Sequence, residues 1–230
     1  MRDSYILALD TTTNHGSVAL CCNGRLVAER RWTAAESHST MLLPEIEASM
    51  RACGTGWGDL THLVAVNGPG SFTGIRIGLG TVQGLAHALG RPILAVSALE
   101  ALANAAPVET RPIHAVLDAR RNQVFHQLFN RSTQAAPLPS YPPQCEEGAE
   151  WLRRLPKTPG RFIGSGALLY RREIEKLGGA YLVLPALDFL AGQAAQIAAQ
   201  RISSGTDHGG ITINALYLRP PDVLLPKAGR

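Results

Sequence analysis

The sequence predicts an α/β chain of two similar halves, and three observations carry that prediction. Each half opens on an apolar strand ending in aspartate: Tyr5–Leu9 runs into Asp10, and Ile113–Leu117 runs into Asp118. Each aspartate is followed by a polar turn and a further strand. Between the strands lie apolar stripes at spacings of three and four, the period of a helix buried on one face. That alternation belongs to layered α/β architecture rather than to an all-helical or all-β chain.

The elements follow in order. After Asp10 the polar turn is Thr11-Thr12-Thr13-Asn14. Gly16–Cys22 and Arg25–Trp32 read as strands joined by Asn23-Gly24, a hairpin signal. Ser37–Ala52 reads as a helix with the stripe Leu42, Leu43, Ile46 and Met50, bent by Pro44 or begun near it. Leu63–Val66 is a short strand, Thr73–Leu89 a helix stopped by Gly90, and Pro92–Val96 a strand. Ser97 with Glu100 reads as a capping box on the next helix. In the second half Gln123–Phe129, Phe162–Gly164, Tyr181–Val183 and Ile211–Leu218 read as strands. Glu146–Leu155, Ala167–Lys176 and Phe189–Ser203 read as helices, and the proline-rich 131–143 as an exposed loop. The expected lobes are 1–104 and 105–218, with helix 189–203 returning to the first, and a loose tail at 219–230.

Composition narrows the function classes. The chain has 230 residues, 45% of them hydrophobic and 17% charged, which suits a packed core. The net charge of +4 comes with arginine pairs scattered at 30–31, 120–121, 153–154 and 171–172, a weak signal for a dedicated nucleic-acid surface. Met1–Asp10 is too short in apolar residues for a signal peptide, and no stretch has the roughly 18–20 apolar residues of a membrane span. Cys21, Cys22, Cys53 and Cys145 form no CxxC pair, so free thiols in the cytoplasm are expected. The seven histidines lack the helical spacing of a metal site, and no metal or cofactor is expected.

The most informative run is Asn67-Gly68-Pro69-Gly70-Ser71-Phe72-Thr73-Gly74-Ile75-Arg76-Ile77-Gly78-Leu79-Gly80, which leads into a helix with glycines at Gly74, Gly78 and Gly84. It is no P-loop, because Gly74 is followed by Ile75 and Arg76 rather than lysine and a hydroxyl, and its glycine spacing misses the dinucleotide fingerprint. Glycine inside a helix costs about 1 kcal/mol against alanine. Gly70, Gly74 and Gly78 lie four apart, so they mark one face where another backbone or a phosphate comes close. A strand-ending aspartate followed by hydroxyls can hold a magnesium-bound phosphate, and Asp10 with Asp118 would face a central cleft, the layout of actin-like ATPases and sugar kinases. Plain turn formation by each aspartate is the competing reading.

Several segments together resemble the TsaB (YeaZ) family: Leu9–Thr13, His38 with Leu42-Leu43-Pro44, the Gly68–Gly78 run, Leu117–Arg120, and Tyr217-Leu218-Arg219. The resemblance runs from residue 5 to about 219. It implies an actin-like (ASKHA) two-lobed fold with mixed, five-stranded-type sheets flanked by helices. It also implies a non-catalytic subunit in formation of N6-threonylcarbamoyladenosine at position 37 of tRNAs that read codons starting with A. The chemistry would sit on a paralogous partner, TsaD, joined by the ATPase TsaE; tRNA would be met only through that complex, with no membrane involved. A homodimer through the same helices is the alternative for the chain alone.

On this reading Asp10, Thr11, Thr12 and Asp118 are vestigial phosphate turns. No glycine follows Asp10 before Gly16, and none occurs in Asp118-Ala119-Arg120-Arg121-Asn122. The expected partner interface is Leu42, Leu43, Ile46, Met50, Gly70, Gly74, Ile75, Gly78, Leu79 and Val82, with internal core packing as the competing role for those helices. Gln123-Val124-Phe125 and Ala215 depart from the family pattern. An actin-like phosphotransferase using Asp10 and Asp118 is the second hypothesis; a metalloprotease finds no ligand spacing to support it.

Overall fold

The structure, a computed structural model, describes residues 3–33, 37–131, 136–156, 158–178, 181–185 and 187–219. The expected tail from 220 onward and residues 132–135 of the proline-rich segment lie outside these. The first sheet begins with an antiparallel meander of β1 (Tyr5–Asp10), β2 (His15–Cys22) and β3 (Arg25–Thr33). Helix α1 (His38–Ala52) leads by a short 3-10 turn into β4 (Leu60–Val66), which lies parallel to β1. Helix α2 (Phe72–Leu89) then leads to β5 (Ile93–Val96), parallel to β4, completing the order β3-β2-β1-β4-β5.

After α3 (Ala98–Ala105) the plan repeats. β6 (Ile113–Arg120) and β7 (Gln123–Asn130) form the antiparallel hairpin. β8 (Leu138–Pro139) and β9 (Gln144–Glu147) both pair with β7. β10 (Arg161–Ile163) lies parallel to β6 on its other side, and β11 (Leu182–Val183) parallel to β10. In both sheets a hairpin carries the aspartate and a parallel strand flanks it, so one supersecondary unit is used twice.

Alternation along the strands sets the layers. Leu7, Leu9, Val18, Leu20 and Leu63 face α1 and α2, while Ile6, Ala8, Ala19 and Val64 face the opposite way. On that second side lie α3 and α7 (Ala191–Ser203), whose Ala191, Ala194, Ala195 and Ala198 let the helix sit close. Ile113, Ala115 and Leu117 of the second sheet close the same core from beyond. The outer face of that sheet, with Val116, Val124 and Phe162, is covered by α4 (Gly148–Arg154), α5 (Ser165–Leu169) and α6 (Arg171–Lys176). Two helices are thus held between two sheets. No helix among the described residues is long and apolar enough to cross a membrane.

Four expectations are corrected. Ile211–Leu218 is no strand: it forms a strap, held where Asn67 Nδ2 and Gln83 Nε2 donate to the carbonyls of Asn214 and Ile213, so side chains replace a ladder. Ala167–Lys176 is two short helices broken at Tyr170, whose ring packs on Trp151 and whose hydroxyl donates to Asn122 O. The proline-rich segment contributes β8 to the sheet.

The fourth concerns the partner interface. Leu42, Ile46, Met50, Ile75, Leu79 and Val82 are buried in the chain's own core against the first sheet, and Gly74 and Gly78 are buried with them. Gly70 is half-buried and turned to Thr12. Of the ten residues, Leu43 alone is exposed, at 49%. One face of a surface helix must cover the sheet beneath it, and the apolar stripe is that face.

Burial in the second lobe has a consequence for acid stability. His114 stacks on Phe162 with ring centroids 4.5 Å apart, and burial, aided by the nearby His126, pushes its pKa down to about 4. The folded chain therefore takes up this proton less readily than the unfolded chain. Stability from His114 is complete above pH 6.5 and lost as pH falls toward 4. By pH 5 the loss is about 2 kcal/mol. Urea unfolding at pH 7.5 and 5.0 should show it, and His114→Gln should shrink that difference by about this share, leaving the share of His126, whose pKa burial also lowers to about 4.

Candidate functional site

The repeated hairpins aim their aspartate turns at a common cleft of about 570 Å³, lined by Thr12, Ser71, Asp118, Arg120, Ser165 and Tyr217 among others. The first turn is closed on itself. Asp10 is fully buried, and its Oδ1 accepts from the Thr12 N–H at 2.9 Å and the Thr12 hydroxyl at 2.7 Å. Thr12 O accepts the Ser71 N–H at 2.7 Å. Thr11 Oγ1 donates to Gly74 O at 2.7 Å. The turn is bolted to the start of α2 by these bonds.

The glycines make that bolt fit. A Cβ on Gly70 would stand 2.2 Å from Thr12 O, one on Gly74 2.0 Å from Thr11 O, and one on Gly78 2.5 Å from Thr11 Oγ1. The side-chain-free face meets the chain's own first turn. Ser71 caps the helix, its Oγ accepting the Gly74 N–H.

Desolvation raises the Asp10 pKa, opposed by the Thr12 bonds and the Leu190 amide. Asp10→Asn keeps an oxygen for both Thr12 donors and removes a buried charge. It should leave stability at pH 7 within about 1 kcal/mol of the parent, checked by thermal melting. An aspartate holding a magnesium-bound phosphate would not tolerate that change in nucleotide affinity.

The second turn is closed in the same way. Asp118 Oδ1 accepts the Arg120 N–H at 2.7 Å, and Arg120 Nη1 lies 3.5 Å from Asp118 Oδ2. The Asp118 N–H donates to Ser165 Oγ at 3.1 Å. Arg120, Arg121 and Asn122 have φ of 62°, 52° and 60°, a left-handed run made without glycine. Strap residue Arg219 reaches over to Ala119 O at 3.0 Å.

The fold implies a magnesium-bound nucleotide, so the fit can be tested. Phosphate would need the amides of the two turns. The Thr12 and Arg120 amides already serve Asp10 and Asp118, and the Thr12 hydroxyl is spent on Asp10 as well. The residues do not fit that group. Among the described residues no cluster of three or more His, Cys, Asp or Glu gathers to hold a metal.

The sequence reading counts Gly80 and Gly84 among the glycines of the run and its helix but does not place them on a surface. Gly80 and Gly84 lie on the outward face of α2, exposed, and a Cβ on either meets nothing within 4 Å. With Phe72 and Arg76 they keep a spacing of four, which was the available signal. Leu43 of α1 is exposed on the same lobe.

This is an actin-like two-lobed α/β fold whose two aspartate turns are closed by bonds to their own carboxylates. A family profile described as "TsaD: tRNA N6-adenosine threonylcarbamoyltransferase" matches residues 32–136. The tRNA threonylcarbamoyladenosine biosynthesis protein TsaB of Bacillus subtilis is 33% identical over 176 residues, 76% of each chain. The protein of the same name from Haemophilus influenzae is 37% identical over 54% of this chain and 53% of its own. YeaZ from Pseudomonas aeruginosa superposes with a TM-score of 0.79 at 29% identity, over 94% of this chain and all of that one. The chain belongs to the TsaB family.

Proposed function

We propose that this chain is a non-catalytic scaffold that pairs with a TsaD-type transferase, with TsaE joining them, to support threonylcarbamoyladenosine formation on tRNAs that read codons starting with A. The observation that carries it is the closure of both phosphate turns: the Thr12 amide is bound by Asp10 and the Arg120 amide by Asp118. A chain whose catalytic turns are spent on internal bonds acts through its surface. The match of the transferase profile to residues 32–136 supports a partner built on the same plan, since paralogues inherit interfaces as well as folds.

The pairing surface is the outward side of α1 and α2. Gly80 and Gly84 leave α2 without side chains where a second helix axis can come close, and exposed Leu43 of α1 and half-buried Ile77 add apolar surface on the same lobe. The chain alone can form a homodimer through the same surface, which the transferase would displace. In this reading the lobes divide at 104–112, and the packing of α7 on β1, β2 and β4 supports its return to the first.

Reconstitution tests the role. Threonylcarbamoylation of an unmodified tRNA by the transferase, with TsaE, should require this chain and should survive Asp10→Asn and Asp118→Asn. Modification at full rate without the chain would refute a supporting role. The phosphotransferase reading requires magnesium-dependent ATP binding by the chain alone, lost on Asp10→Asn.

A further inference from the structure

Phe72 and Tyr217 line the cleft, and Arg76 packs on the Phe72 ring. The Arg76 guanidinium carbon lies 3.9 Å from the Phe72 ring centroid, and the Tyr217 ring lies 5.0 Å from the same ring at 33°. Arg76 is exposed and Tyr217 is 40% exposed. The Arg76 donors enter no ion pair or hydrogen bond among the described residues. Arg120, its side chain 75% exposed, also lines the cleft. Asp118 and Asp188 also line the cleft, but Asp118 is engaged by Arg120.

The chemistry of the cluster is specific. A guanidinium held over a ring keeps its N–H donors for another acceptor, and a phosphate matches that fork. A half-open tyrosine beside it presents a face on which an unstacked base can lie. Recognition of unpaired RNA uses that combination of aromatic face and arginine fork. We propose that this cluster binds RNA directly, taking one unpaired base against Tyr217 and Phe72 and a neighbouring phosphate on Arg76. The inference rests on the role proposed above and deepens it, because it gives this chain its own hold on the tRNA rather than one made only through the transferase.

The competing occupant is an acidic side chain of the protein partner, and the test separates the two. A fluorescein-labelled unmodified tRNA transcript is titrated with the full chain, alone and with the transferase, at several salt concentrations. Arg76→Ala should weaken binding about five- to tenfold and lower the salt slope by about one. Tyr217→Ala should weaken binding comparably with the slope unchanged, and Arg76→Lys should keep the slope while losing part of the affinity. Melting curves confirm that each variant folds. Unchanged tRNA affinity in Arg76→Ala and Tyr217→Ala overturns the proposal, as does a loss confined to transferase binding. Neither result touches the scaffold role, which the reconstituted reaction tests separately.

Discussion

Gly74→Ala should destabilise the isolated chain by about 3 kcal/mol, although it adds only one methyl group to a helix. On intrinsic propensity alone the change should gain about 1 kcal/mol. Sterics decide the sign. The new Cβ would sit 2.0 Å from Thr11 O, a backbone atom that cannot rotate away. Relief requires moving the first turn, which also carries Thr11 Oγ1 to Gly74 O and the Ser71 amide to Thr12 O. Asp10 lies fully buried beneath that turn, so the disturbance reaches a desolvated carboxylate. Gly80→Ala, in open space on the same helix, is the control and should stabilise by up to about 1 kcal/mol. Urea unfolding of the three proteins separates the two faces. Equal effects at 74 and 80 would contradict the packing described.

Gly80→Arg should do the opposite: it should spare the fold and weaken association with the transferase at least tenfold. The side chain grows into open space, so no internal atom need move. A helix docked along that face would lose its close approach, and a buried unpaired charge would be placed in the interface. Ten- to hundredfold corresponds to about 1.4–2.8 kcal/mol. Gly84→Arg, one turn further, should act similarly. Affinity can be read by sedimentation and stability by melting, and the two must diverge.

Much of the fold was legible because short-range chemistry fixes it. The Asn23-Gly24 turn, with Asn23 at φ 48° and Gly24 at φ 80°, joins β2 and β3, and Gly90 at φ 62° ends α2. Two strands ending at Asp10 and Asp118 announced the repeat. The strap at 211–219 was not legible, because its bonds come from Asn67 and Gln83, over a hundred residues away. Its alternating apolar residues imitate a strand without a neighbour to pair with.

The site was half legible. Closed turns were foreseeable from the missing glycines and the arginines after Asp118. Which glycine stripe faces outward was not. Gly74 and Gly78 and the pair Gly80 and Gly84 sit on one helix, with Gly70 just before its cap, and only the position of Thr11 and Thr12 tells the two sets apart. The apolar stripe of α1 was open to the same confusion, since a core face and an interface face use the same residues.

The most direct measurement is sedimentation velocity of this chain mixed with the TsaD-type transferase of its own organism at micromolar concentration. A heterodimer that forms with the parent and with Asp10→Asn, and is lost with Gly80→Arg while that variant still melts like the parent, is the predicted result. No complex between the two folded proteins, or one that Gly80→Arg leaves intact, would contradict a scaffold that works through the outward face of α2.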